Sequence, residues 1–112
     1  MEWNELSDIA QLDQIIEESK QQPVFILKHS TRCSISATAK GRLERVWEDE
    51  KDSKKLKPYY LDLIAHRDIS NKIEDVFGVE HQSPQVLVIK DGKCTYDNSH
   101  MGINYGELLA QA

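Results

Sequence analysis

Pro23 is followed by four consecutive apolar residues, Val24-Phe25-Ile26-Leu27. Side chains alternate faces along a strand, so a run of this kind suits a strand covered on both sides. The chain must then supply a layer for each face of the sheet that this strand joins. Upstream, Asp8 with Gln11 three residues on resembles a capping box, and Ile9, Leu12, Ile15 and Ile16 follow at helical spacing until Pro23 stops the pattern. Downstream, a polar turn over 28–32 leads to Cys33. Over 33–50 the apolar residues Ile35, Ala39, Leu43, Val46 and Trp47 share one helical face. Gly41, in the middle of that helix, is expected to loosen or kink it.

The remainder repeats the alternation. A charged turn over 51–57 precedes a second strand over 59–63. Asp68 is expected to cap a third helix carrying Ile69, Ile73, Val76 and Phe77, with Gly78 just past its end. Ser83-Pro84 opens a strand over 85–90, and Asp91-Gly92 is a two-residue hairpin signal returning the chain along 93–97. Asn104 and Glu107 bracket a short last helix with Leu108 and Leu109 inside. The order is α-β-α-β-α-β-β-α. Strands separated by helices run parallel, and the hairpin adds an antiparallel pair. The expected fold is therefore α/β, a central mixed four-stranded sheet with helices on both faces. No repeat, low-complexity tract or linker interrupts it, so 1–112 is read as a single domain.

A net charge of −5 argues against a nucleic-acid surface, which needs a basic face. No apolar run approaches a membrane span, and the first residues are acidic where a signal peptide would be basic and then apolar. These features set the expectation of a cytoplasmic protein with no nucleic-acid or membrane partner. In that compartment thiols stay reduced, so Cys33 and Cys94 are expected to be free. His29, His66, His81 and His100 lack metal-ligand spacing, and no metal site is expected.

Cys33 stands where chemistry is easiest to arrange. A thiol must ionise to attack, and a helix start offers unpaired N–H groups and the positive end of the helix dipole. Arg32 adds positive potential if its side chain folds back. The thiol is thus expected to ionise below its ordinary value. Lys28 and Arg32 read equally well as solvated charges, Ser36 as a plain first-turn residue, Cys94 as a small buried hydrophobe, and Trp47 as core.

The element order, with Cys33 between first strand and second helix and Ser83-Pro84 opening the third strand, resembles the thioredoxin superfamily. Lys28-His29-Ser30-Thr31-Arg32-Cys33-Ser34-Ile35-Ser36 resembles, more narrowly, the monothiol bacilliredoxins, with Ser34 in place of the usual proline and Arg32 before the cysteine. The resemblance implies a thioredoxin-like fold, a cis Pro84, and catalysis by Cys33 supported by Thr31, Arg32, Ser34 and Ser36. Thioredoxins carry a buried acid six residues before the nucleophile; here the position is Leu27. Ser36 occupies the resolving position and cannot form a disulfide. Cys94, just past the hairpin turn, lies too far along the strand from Pro84 to replace it.

What remains is a monothiol cycle. Cys33 would take a small thiol from a mixed disulfide on a client protein, and a second small thiol would regenerate it. The resemblance makes that co-substrate bacillithiol and the partners bacillithiolated client proteins, with no tightly bound cofactor. The backbone of Ser83, before Pro84, is expected to pair with the substrate as an added strand, and Gly102 to allow close approach. The alternatives are an iron–sulfur carrier of the monothiol-glutaredoxin kind, which shares Cys-x-x-Ser, and a redox-inactive adaptor.

Overall fold

The computed structural model describes residues 3–30, 34–49 and 56–99, together with 103, 106, 107 and 110. Its elements are β1 (Asn4–Glu5), α1 (Gln11–Glu18), β2 (Val24–His29), α2 (Ser34–Asp49), β3 (Lys57–Asp62), α3 (Arg67–Phe77), β4 (Gln85–Lys90) and β5 (Lys93–Ser99). The strands form one mixed sheet in the order β1-β3-β2-β4-β5, with β1 and β2 parallel to β3 and the β2-β4 and β4-β5 pairs antiparallel. The architecture is the expected α/β layering. The sheet has five strands rather than four, because Asn4 and Glu5 add an edge strand opposite Tyr59 and Tyr60. These two residues are polar and exposed; backbone pairing holds them, with Asn4 Nδ2 donating to Pro58 O at 3.0 Å.

β2 lies at the centre, and all six of its residues are buried. Its two-residue period splits the core. Val24 and Ile26 join Leu12 and Ile15 of α1 and Ile69 and Ile73 of α3 on one face. Phe25 and Leu27 join Leu43 and Trp47 of α2 on the other. Burying a side chain of this size contributes roughly 1.5–3 kcal/mol, so each helix is held to the sheet chiefly by its apolar stripe. Ile35, expected on the buried face of α2, is instead 48% exposed in the first turn. The side chain of Val46 lies outside the described residues.

Local signals act as their chemistry dictates. Gln11 Oε1 accepts the Ser7 and Asp8 N–H groups, and Asp8 Oδ1 accepts that of Ala10, so the box-like contacts form just ahead of α1. Ile9 therefore falls outside the helix and is exposed. Gly78 ends α3 in the left-handed region, and Asp91 and Gly92 both have positive φ in the tight turn between β4 and β5. Asp68 does not cap α3. The helix starts two residues earlier than a cap at that position requires, with His66 at the N-cap, and Asp68 sits in its first turn, where a carboxylate favours the helix dipole. Gly41 does not interrupt α2, which runs from Ser34 to Asp49. Lys57, assigned to the charged turn, opens β3 and pairs with Glu18, which Tyr59 Oη also reaches. Residues 51–55, Asn104, Leu108 and Leu109 lie outside the described residues. Among the described residues no helix is long and apolar enough to cross a membrane.

Candidate active site

The carboxyl end of β2 carries His29, and Gln85 at the start of β4 pairs with the neighbouring Lys28. Ser83 and Pro84 therefore enter the sheet at the end where β2 runs out toward Cys33. The Ser83-Pro84 peptide is cis. The following helix, α2, begins at Ser34, and Ser36 in its first turn is fully buried. The topology thus brings Ser36 and Ser83-Pro84, expected from sequence as support and substrate contacts, to one end of the sheet. Ser34, the fourth such residue described, is exposed on the first turn, and its carbonyl accepts the Thr38 hydroxyl at 2.9 Å. Thr31, Arg32, Cys33 and Gly102 lie outside the described residues.

Ser36 is held from two sides. The Ser30 N–H donates to Ser36 Oγ at 3.1 Å, and His29 Nδ1 lies 2.6 Å from the same oxygen. His29 is itself buried, and its ring meets that of Tyr60 at a centroid separation of 5.5 Å. Burial, and next the Lys40 ammonium, lower its pKa from 6.5, while Asp62, a hydrogen bond to the Ser36 backbone and Glu44 act in the opposite direction. Lys40 also bonds Glu44 at 2.9 Å and lies over the Trp3 and Tyr60 rings. Sequence reasoning weighed His29 only as a metal ligand. The signal it passed over is spacing: a histidine that ends a buried strand can reach a serine in the first turn of the next helix.

The opposite face of the same strand end carries a second polar cluster. Lys28, which reads as readily as a solvated charge, has 0% exposure. The strand's alternation turns it under α3, where its ammonium donates to Ser70 O at 3.4 Å and to His81 Nδ1 at 3.3 Å. Burial pulls its pKa down to about 8, with the Glu74 carboxylate opposing. Gln85 Nε2 donates to Glu80 O and its Oε1 accepts the Gln82 N–H. The His81 N–H reaches Glu74 Oε1. The segment leading into Ser83-Pro84 is thus tied to α3 and to the sheet at several points. Ser83 Oγ is buried without a hydrogen-bond partner among the described residues.

Cys94 sits at the other end of the sheet. It pairs with Ile89, and Ile89 pairs with Val24, the first residue of β2. Its half-buried side chain packs on the α1/α3 core, and its Sγ donates to Tyr96 O at 3.3 Å. Burial, the largest influence, raises its pKa from 9.0. It is a packing residue remote from Ser83-Pro84. Leu27 is wholly apolar in its surroundings, buried against the α2 face of the sheet.

A central β2 flanked by β3 and β4, with Ser83-Pro84 opening β4 beside the start of α2, defines a thioredoxin-fold protein. Solved structures agree. A proposed oxidoreductase with a thioredoxin fold superposes with TM-score 0.80 at 36% identity, covering 96% of this chain and 89% of that one. Thioredoxins from Malassezia sympodialis (TM-score 0.75, 17% identity, 98% and 87% covered) and Fasciola hepatica (0.73, 18%, 96% and 94%) share the fold. The family model described as Monothiol bacilliredoxin BrxC matches residues 4–108, and the chain belongs to that family. Its general role is therefore thiol redox chemistry.

Proposed function

We propose that this protein removes bacillithiol from protein mixed disulfides by a monothiol cycle through Cys33. The observation that carries the reading is Ser36. A hydroxyl stands at the resolving position, buried and bonded to His29 and Ser30, and a hydroxyl cannot displace a sulfur. The second cysteine of the chain, Cys94, is at the far end of the sheet with its thiol biased toward the protonated form. Release must then come from another molecule.

The cycle has two exchanges. The Cys33 thiolate attacks the bacillithiol sulfur of the client disulfide; a new S–S bond joins Cys33 to bacillithiol, and the client leaves as a thiolate that takes up a proton. A second bacillithiol, as its thiolate, attacks that sulfur, giving the symmetrical disulfide and restoring Cys33. One client disulfide and one thiol become one client thiol and one low-molecular-weight disulfide, so electrons balance. The backbone before Pro84 supplies polar groups for the incoming chain, in the manner of strand addition. The nucleophile gains from its place before a 16-residue helix, whose first-turn N–H groups favour an anion.

The test is a bacillithiolated test protein treated with wild type and Cys33→Ala. Rapid release by wild type alone is expected. Equal, slow release by both overturns the proposal.

A further inference from the structure

Residues 79–84, between the end of α3 and the start of β4, belong to neither helix nor strand, so side chains must fix the path of the backbone into Ser83-Pro84. Two anchors do so. Gln85, itself buried, bonds the segment twice: its Nε2 donates to Glu80 O at 3.0 Å, and its Oε1 accepts the Gln82 N–H at 3.3 Å. His81, between those two points, places Nδ1 3.3 Å from Lys28 Nζ and 3.1 Å from Ser70 Oγ. Its backbone N–H donates to Glu74 Oε1 at 3.4 Å. Lys28 and Ser70 are buried members of β2 and α3.

The second anchor admits one arrangement. An ammonium can only donate, so Nδ1 accepts and the ring proton sits on Nε2. A second proton on the ring would set an N–H at Nδ1 against the ammonium, two donors and two positive charges face to face. The His81 anchor therefore needs a neutral imidazole, whereas the Gln85 amide holds in either state.

We propose that His81 is a positioning residue for protein substrates: its neutral ring, seated on Lys28 and Ser70, holds the 80–83 backbone in the course that receives a client chain, and its protonation releases that backbone. The inference rests on the proposed function, in which the backbone before Pro84 pairs with the client. It deepens that reading by naming what favours a protein disulfide over a small one. A client chain uses the segment; a small disulfide has no peptide backbone to pair with it. Protonation of His81 thus slows attack on protein mixed disulfides and spares exchange with small molecules.

The groups that bias His81 come from two elements. Burial opposes its protonation most, then Lys28 of β2; on α3, Glu74 favours it and Arg67 opposes it. On its own segment the neighbouring Glu80 is exposed. The loss of client recognition is therefore expected below pH 6.5.

The experiment takes the ratio of two second-order rates in a Cys94→Ala background. One is release of bacillithiol from a bacillithiolated test protein; the other is reaction with 2,2′-dithiodipyridine. Ionisation of the attacking thiol enters both rates and cancels in the ratio. The proteins compared between pH 5 and 8 are the background, His81→Ala and His81→Asn, whose amide oxygen takes the place of Nδ1 and does not titrate. In the background the ratio is expected to fall toward pH 5 on the order of tenfold, the worth of about one net hydrogen bond. His81→Ala should be low throughout, and His81→Asn high and flat, which carries the test if His81→Ala does not fold. By NMR, the amide signals of Glu80 and Gln82 should follow the His81 ring titration in the background. A ratio independent of pH in the background overturns the inference, as does an unchanged ratio in folded His81→Ala or a fall in His81→Asn equal to that of the background. Release with amide signals indifferent to the titration rejects the His81 anchor alone. Amide signals that follow it, without release, reject the proposed function and leave the anchor standing.

Discussion

Lys28 Nζ lies 3.3 Å from His81 Nδ1 inside the protein, two basic groups in contact at the edge of the α3 interface. An ammonium only donates, so the imidazole nitrogen must present its lone pair. Burial lowers the pKa of both, and the Lys28 charge is the second cause at His81. The Ser70 hydroxyl, 3.1 Å from the same nitrogen, shares the contact.

Lys28 therefore makes stability rise with pH on the alkaline side. Its folded pKa of about 8 is below the ordinary 10.5, so between those values the unfolded chain holds the proton more tightly. The stabilisation from a neutral Lys28 is present above 10.5 and is lost as pH falls through about 8. At neutral pH the penalty is on the order of 3 kcal/mol. Lys28→Met, close in length and without charge, is expected to be more stable than wild type by urea unfolding at pH 7. That advantage should shrink between pH 8 and 10. A constant difference across the range would sink the account.

His81 gives the matching effect in acid. Its pKa is lowered from 6.5, by burial first and by Lys28 next, with Glu74 opposing and Arg67 adding a smaller unfavourable charge. The unfolded chain takes the proton first as pH drops, so stability is full above 6.5 and falls as pH descends through the lower folded value. In His81→Gln the loss of urea stability from pH 7 to pH 5 is expected to be smaller. In Lys28→Met, the His81 titration followed by NMR is expected to move up toward 6.5.

Gly41 allows a gain. A Cβ built there meets nothing within 4 Å, and α2 runs through the position without interruption. Glycine inside a helix costs about 1 kcal/mol relative to alanine, through backbone freedom in the unfolded chain. Gly41→Ala is expected to raise the urea midpoint by about that free energy. A lower midpoint would mean that α2 needs the glycine in some state other than this one.

The legible parts of this fold were those where a local rule and the tertiary context agree. Val24 to Leu27 is apolar because both faces of β2 are covered. Asp91-Gly92 turns because both residues take positive φ. The missed parts are those where partners come from afar. β1 has no apolar pattern at all, since Asn4 and Glu5 join an edge by backbone pairing and one side-chain amide contact. Lys28 reads as a solvated charge in a turn over 28–32, but β2 extends through it, the period of two carries it beneath α3, and its partners Ser70 and His81 are distant in sequence. His29 lacked any metal spacing, and its contact with Ser36 depends on packing the end of β2 against the first turn of α2.

The two cysteines should separate cleanly by rate. Cys94 packs on the core with a pKa raised by burial, and its Sγ is tied to Tyr96 O, so few of its molecules are thiolate at neutral pH. Its pairing with Ile89, and that of Ile89 with Val24, puts it at the end of the sheet opposite His29 and Gln85. Attack on a disulfide held near Ser83 would require it to cross the length of β4. Cys94→Ala is therefore expected to keep the bacillithiol-release rate within about twofold. It should cost about 1 kcal/mol of stability for the lost contacts of a half-buried side chain. In wild type, iodoacetamide at pH 7 should label one thiol quickly, and that fast phase should vanish in Cys33→Ala and persist in Cys94→Ala. Loss of release in Cys94→Ala, with the fold intact by circular dichroism, would make the cycle a dithiol one with Cys94 as its resolving thiol.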